Sequence, residues 1–153
     1  MADRAIRKRV MVGVPVDRAF GIFTEGIDRW WLRDHKIGTA HLQRAVLEGR
    51  PGGRWYELDV DGSECDWGRV LEWDPPHSLV LAWQIDTDMQ FNPDLVTQVE
   101  VRFTPEGSER TRVELEHRDL DRFGEAEAQM RMGFESPSGW QGLLNAYADV
   151  AAG

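Results

Sequence analysis

The spacing of apolar and polar positions changes period three times along the chain. Residues 6–13 alternate, with Val10 and Val12 on one face, which predicts a strand. Pro15 suits the first turn of a helix. Val16, Phe20, Phe23 and Ile27 then recur at helical spacing, and Trp30 and Trp31 continue the stripe. Gly21 and Gly26 interrupt it, which predicts two short helices instead of one long one.

The middle of the chain returns to period two. Strands are expected over 43–48 and 54–60, separated by the Pro51-Gly52-Gly53 turn. Asp61-Gly62 is a strong hairpin signal before a strand over 65–73. Asp74-Pro75-Pro76 turns the chain into a strand over 78–85, and 86–94 reads as a loop containing Met89 and Phe91. Thr97, Val99, Val101 and Phe103 share one face of the next strand. Thr111, Val113, Leu115 and His117 share one face of the last, and the intervening positions are polar. Half-buried antiparallel strands have this alternation.

Beyond residue 120 the helical period resumes. Phe123, Ala126, Met130 and Phe134 form one stripe. Ser136-Pro137 reads as an N-cap followed by proline at the first helical position. Trp140, Leu143, Leu144 and Tyr147 are the apolar face of a final helix. One antiparallel sheet must cover an apolar face, and the terminal helix is the only large element available to it. The expected class is α+β: a curved antiparallel sheet of about seven strands around a long C-terminal helix, with two short helices after the first strand. With no linker, repeat or low-complexity segment, residues 1–153 read as a single domain.

Composition narrows the function classes. Lys plus Arg number 18 and Asp plus Glu 27, a net charge of −9 that disfavours nucleic acid and anionic membrane surfaces as partners. No apolar run approaches the roughly 18 residues of a membrane helix. Arg7, Lys8 and Arg9 precede an apolar stretch, but it ends at Pro15, too short for a signal peptide. The single cysteine, Cys65, excludes an internal disulfide and a cysteine zinc site, and a cytoplasmic location is expected.

The common catalytic motifs are absent: no phosphate-binding glycine loop, no dinucleotide fingerprint, no metalloprotease helix and no nucleophile elbow. His35 and His41, with Asp34 beside them, read as solvated loop residues, and His77 as a turn residue, so no metal is expected. His117 faces inward, either as a satisfied core histidine or as a polar group in an apolar pocket. Glu57 shares a face with Trp55, but Glu57 and Asp59 are expected as an exposed pair, since acids are seldom buried without partners. Glu125, Glu127 and Arg131 read as a solvated helix face.

Seven tryptophans, Trp30, Trp31, Trp55, Trp67, Trp73, Trp83 and Trp140, are the anomaly. Some must fill the core, each burying roughly 150–250 Å². Many rigid indoles are hard to interdigitate without gaps, so a partly hollow, aromatic-lined cavity between sheet and final helix is expected.

These elements also carry a resemblance. Val14-Pro15-Val16-Asp17-Arg18-Ala19-Phe20 and Ile27-x-x-Trp30-Trp31 resemble the START-like, or helix-grip, superfamily. Glu48-x-x-Pro51-Gly52-Gly53-Arg54-Trp55, Gly68-Arg69-Val70-Leu71-x-Trp73-Asp74-Pro75-Pro76 and Leu79-x-Leu81-x-Trp83 narrow it, together with Thr111-x-Val113-x-Leu115-x-His117-Arg118 and Gly139-Trp140-x-x-Leu143-Leu144. They resemble the activator of heat-shock protein 90 ATPase homologues. The resemblance implies a sheet gripping the last helix over a cavity for lipids, sterols, hormones or polyketides, and in a minority cyclase or dehydratase activity. The eukaryotic namesakes stimulate a chaperone ATPase and carry a further N-terminal domain. This sequence begins at the first strand, so a short stand-alone bacterial type is expected.

The resulting expectation is a module that binds an apolar or aromatic small molecule without a cofactor, as a monomer or homodimer. Trp31, Trp55, Trp67, Trp83, His117, Met130, Phe134, Trp140 and Leu144 would line its site. Two alternatives stand beside it. One is a cyclase or dehydratase using His117 or Glu57 as general base. The other is a co-chaperone or stress-response protein, recognisable by an exposed apolar patch.

Overall fold

The computed structural model describes residues 5–153. One antiparallel sheet has the strand order β1-β7-β6-β5-β4-β3-β2. Its strands are β1 (Ile6–Val12), β2 (Leu42–Leu47), β3 (Arg54–Asp59), β4 (Glu64–Asp74), β5 (Ser78–Trp83), β6 (Thr97–Pro105) and β7 (Thr111–Arg118). From β2 to β7 each strand pairs with the next in sequence. The connection from β1 crosses the concave face through α1 (Val16–Thr24) and α2 (Ile27–Trp30) to reach the opposite edge. After β7 come a 3-10 turn (Leu120–Ala126), α3 (Glu127–Glu135) and α4 (Trp140–Ala152). The expected α+β helix grip, with seven strands and two short helices after the first, is the observed architecture.

Register follows the alternation. Val99 lies opposite His117, Val101 opposite Leu115 and Phe103 opposite Val113. All six side chains are buried beneath the helices. The opposite face carries an ion-pair ladder in which Arg118 bridges Glu100 and Glu116 at 2.7 and 3.0 Å. Exposed pairs of this kind contribute about 0–1 kcal/mol each, so the sheet is held mainly from its concave side.

Two local features shape that side. In β3 and β4, Trp55 pairs with Gly68 and Tyr56 with Asp66, so Trp67 is the extra residue of a β-bulge. Gly68 lies between Trp55 of β3 and Trp83 of β5, and a Cβ there would sit 1.7 Å from the Ala82 carbonyl oxygen. Only glycine lets the three strands approach this closely, and the Trp55 and Trp83 rings meet across it at 5.6 Å.

The C-terminal segment departs from expectation. Gly124, at φ 62° and ψ −129°, separates the turn holding Phe123 from α3, so the stripe from Phe123 to Phe134 spans two elements. Ser136 does not cap the last helix. Its hydroxyl donates to the Gly133 carbonyl (2.7 Å) and closes α3. The chain turns through Pro137 and Ser138, and α4 starts only at Trp140, after Gly139. A Cβ on Gly139 would lie 2.2 Å from the Phe134 carbonyl oxygen, so the tight turn between the two helices needs glycine there.

Candidate functional site

The tryptophans mostly fill the core. Trp31 stacks on Trp67 at 4.9 Å and 27°. It meets Trp55 edge-on at 5.9 Å and Trp140 at 6.5 Å, while Trp83 meets Trp140 at 5.5 Å. Offset and edge-to-face contacts like these let indoles interdigitate. The void left among Trp31, Trp55, Leu81, Val99 and Trp140 is about 10 Å³, no more than one water occupies. The hollow expected beneath the final helix is therefore filled.

The usable space lies to one side of this cluster. A cleft of about 550 Å³ opens where the segment after α2, the loop after β5, α3 and the start of α4 converge. That volume is in the usual range for small-molecule sites. Of the residues singled out from sequence, Trp31, Trp67, Trp83, Met130, Phe134 and Trp140 line it. Trp55 and Leu144 do not. Both are buried at 1% exposure, Trp55 behind Trp31 and Trp83, and Leu144 on the core face of α4. Leu143 takes the place at the cleft wall. Sequence reasoning also missed a polar rim of Asp34, His35, Lys36, Ser136 and Ser138, and the apolar Ile85 and Met89. Loop residues carry no periodicity, so nothing in the pattern aimed them at one place.

His117 lies one layer behind the cleft. Its ring contacts Phe134 at 4.5 Å and Trp140 at 5.8 Å, and these two rings separate it from the opening. Thr97 Oγ1 donates to the Trp83 carbonyl (3.1 Å), so its oxygen accepts from His117 Nε2 (2.8 Å). Trp140 Nε1 donates to His117 Nδ1 (3.0 Å). The neutral Nε2–H tautomer satisfies every partner. The relay ties α4 to β7, β6 and β5. Burial, with Arg131 adding like charge, drives the His117 pKa down to about 3. A folded state that refuses this proton loses stability as pH falls below the unfolded value near 6.5 toward 3. In an NMR titration the His117 ring signals should stay at their neutral positions down to pH 4.5; a midpoint above 6 would disprove the relay.

Glu57 and Asp59 are the largest correction. Both are fully buried. They sit on the inward face of β3 beneath the segment Lys36–Gly38. Glu57 accepts hydrogen bonds from Ile37 N (2.7 Å), Gly38 N (3.1 Å) and Trp67 Nε1 (2.9 Å). The Lys36 ammonium lies 3.3 Å from Glu57 and 3.7 Å from Asp59, and it also donates to the Gly38 carbonyl. Gly38 permits the approach, because a Cβ would fall 2.1 Å from Asp59 Oδ2. The partners that make burial tolerable come from a loop about 20 residues upstream, which the strand pattern could not show. Burial pushes the Glu57 carboxyl up, but its donors outweigh that and hold it below its ordinary value. Burial first, and then Glu57 itself, push Asp59 up to about 6. Glu57, Asp59 and Cys65 are the one group of metal-type donors among the described residues, within 4.8 Å of one another. Lys36 supplies the positive charge there, and we assign no metal ligands.

At the rim, His35 spans two loops. Nδ1 lies 3.0 Å from Asp34 Oδ1, and Nε2 lies 2.6 Å from the Ser138 carbonyl. The histidine read as a solvated loop residue thus joins the segment after α2 to the turn before α4.

A curved antiparallel sheet closed on a C-terminal helix, with an aromatic cleft at one end, defines a helix-grip protein. Over residues 13–146 the chain matches the family described as Activator of Hsp90 ATPase homolog 1-like protein, and it belongs to that family. Among solved structures it is similar to an anthrahydroquino-gamma-pyrone synthase, Txn09, in a complex with SUM. Identity there is 40%, covering 95% of this chain and 96% of that one, at a TM-score of 0.68. It is also similar to CalC, a self-sacrificing resistance protein from Micromonospora echinospora, at 34% identity, 97% and 94% coverage and a TM-score of 0.71. Protein NE0264 from Nitrosomonas europaea, at 18% identity, 95% and 92% coverage and a TM-score of 0.63, shares the fold. No curated protein matches the chain. Among the described residues no helix is long and apolar enough to cross a membrane.

Proposed function

We propose that the chain binds a planar polycyclic aromatic molecule of the anthraquinone type in the cleft. The observation that carries this is the cleft itself: about 550 Å³ walled by four indoles, Phe134 and Met130, with polar groups on one rim. Flat π-surfaces stack on such walls, and a polar rim orients the oxygen atoms of a polyketide. Support comes from the synthase relative at 40% identity, whose name describes an anthrahydroquino-gamma-pyrone product. The names of these two relatives, a synthase and a resistance protein, favour small-molecule binding over a co-chaperone role.

The test is quenching of the protein's tryptophan fluorescence by 1,4-dihydroxyanthraquinone. Saturable one-to-one quenching is expected. Trp83→Ala and Phe134→Ala should each weaken it about tenfold or more, the loss of about 1.4 kcal/mol or above that a removed stacking wall produces. Non-saturable quenching, or unchanged affinity in both variants, would end the proposal.

A second reading is ring closure on such a molecule, and the His35–Asp34 pair favours it. Asp34 on Nδ1 orients the imidazole, and Nε2 exchanges a proton with a ligand once it releases the Ser138 carbonyl. In ring closure by a phenol, the proton leaves the attacking oxygen and is returned to the carbon framework. With Nε2 released from Ser138, His35 is the rim group proposed for both transfers. His35→Gln should then leave dihydroxyanthraquinone affinity within about threefold while abolishing turnover of an anthrahydroquinone with an unclosed side chain. Equal turnover in the variant would remove His35 from the chemistry.

A further inference from the structure

The buried carboxyl pair lies directly behind the cleft wall. Three of the groups that hold Glu57, the Lys36 ammonium, the Ile37 amide and the Trp67 indole, belong to residues that also line the cleft. Asp59, equally buried, receives no hydrogen bond from the protein on either oxygen. The Lys36 ammonium stays 3.7 Å away, beyond hydrogen-bond reach, and a proton on Asp59 itself can be shared with Glu57. The groups facing the pair are Lys36 from the segment after α2, Cys65 from β4 and Asp61 from the β3–β4 turn.

Counting charge gives two states. With one proton on the pair, Glu57 and Lys36 cancel and the cluster is neutral. With the proton gone, two carboxylates face one ammonium, and the cleft wall is backed by a net charge of −1. The extra charge also repels Glu57 and pulls on Lys36, which sits on the same short segment as Ile37 and Gly38.

We propose that Glu57 and Asp59 form a one-proton switch that sets the charge behind the cleft wall, so that the cleft takes aromatic ligands with an anionic edge and takes up a proton as it does so. Its affinity arm rests on the cleft being the ligand site, as proposed above; the switch itself does not. Proton uptake and anion binding are linked because each favours the state the other favours. Deprotonation places one negative charge near the ligand, and charges of one sign repel across a partly buried wall with little screening.

Two measurements test this. The first needs no ligand. In heteronuclear NMR, the Trp67 indole N–H and the Ile37 and Gly38 amides all donate to Glu57 and report its state. Their signals should titrate together with a midpoint near the 6 expected for Asp59. The transition should vanish in Asp59→Asn and move upward in Lys36→Met, where the opposing cation is gone. Signals that stay flat between pH 4.5 and 8, or the same transition in Asp59→Asn, would overturn the switch.

The second uses anthraquinone-2-sulfonate, anionic throughout this range, beside neutral 2-(hydroxymethyl)anthraquinone. Affinity for the sulfonate should fall at least threefold more than that for the neutral probe between pH 5 and 7.5. Asp59→Asn should abolish that difference, which removes His35 and overall charge as its source. A difference that persists in Asp59→Asn would overturn the affinity arm. Failure of both probes to bind at either pH would overturn the anthraquinone reading, while the NMR titration still decides the switch.

Discussion

A chain ending before Ser136 should not fold. Removing that segment removes α4, which buries Trp140, Leu143, Leu144, Tyr147 and Ala151. Full burial of a large apolar side chain is worth roughly 1.5–3 kcal/mol. Four such residues approach the whole net stability of a typical domain, about 5–15 kcal/mol. Two polar ties go as well: Tyr147 Oη donating to the Ala19 carbonyl (2.8 Å) and Trp140 Nε1 donating to His117. The truncated chain should lack the cooperative urea transition and the near-ultraviolet circular dichroism of the full protein. The single change Trp140→Ala should cost about 3–5 kcal/mol, near the top of that range because it also strips the buried His117 Nδ1 of its donor. Leu144→Ala should cost about 2–5 kcal/mol. The two differ in function. Trp140 lines the cleft and Leu144 does not, so only Trp140→Ala should weaken dihydroxyanthraquinone. A folded truncation, or equal affinity in the two variants, would separate the helix from the role argued for it.

The sheet was legible because alternation is a local property. Thr111, Val113, Leu115 and His117 face inward as their spacing predicts, and the first helical stripe divides at Gly26 as expected, whereas Gly21 stays inside α1. What failed depended on contacts between distant segments. Ser136 has the composition of an N-cap, yet its hydroxyl is taken by the end of the preceding helix. Glu57 and Asp59 look like surface acids until Lys36, Ile37 and Gly38 are laid over them. The family resemblance named the fold but not these partners.

The site was half legible for the same reason. Aromatic residues on strands announced an indole-rich interior, and six of the nine named residues do meet in the cleft. The expectation of a central cavity assumed that indoles pack poorly. The bulge at Trp67 and the close strand approach at Gly68 remove that difficulty, because they let Trp55, Trp67 and Trp83 crowd edge to face. Open space is thereby displaced to the rim, where helices and loops meet and α3 buries no residue fully. The cleft therefore has a buried aromatic floor, while its α3 wall carries no fully buried residue.

Loss of Glu57 should be the most damaging single change on the functional side. Its carboxylate satisfies two backbone amides, one indole and one ammonium, all at least partly buried. Glu57→Ala leaves these donors without an acceptor, and breaking a buried ion pair from one side costs about 3–5 kcal/mol. Glu57→Gln keeps an acceptor oxygen but turns an amide N–H toward other donors, so a loss of roughly half is expected. Both variants should loosen Trp67 and the Lys36–Gly38 segment and weaken dihydroxyanthraquinone about tenfold or more. The pH dependence has a definite sign. Glu57 is held below its ordinary 4.5, so the stability it supplies is present above that value and is lost as pH falls further. Asp59 is raised toward 6, so its contribution is complete at low pH and is lost as pH rises through 6. That loss begins at the ordinary Asp59 value of 3.8, so the cluster is strongest close to pH 4.5, with Glu57 ionised and Asp59 still protonated, and the deficit of Glu57→Ala in urea denaturation should be greatest there. A deficit below about 1 kcal/mol at pH 4.5, with the Trp67 indole signal unmoved, would show that the carboxylate does not hold the wall.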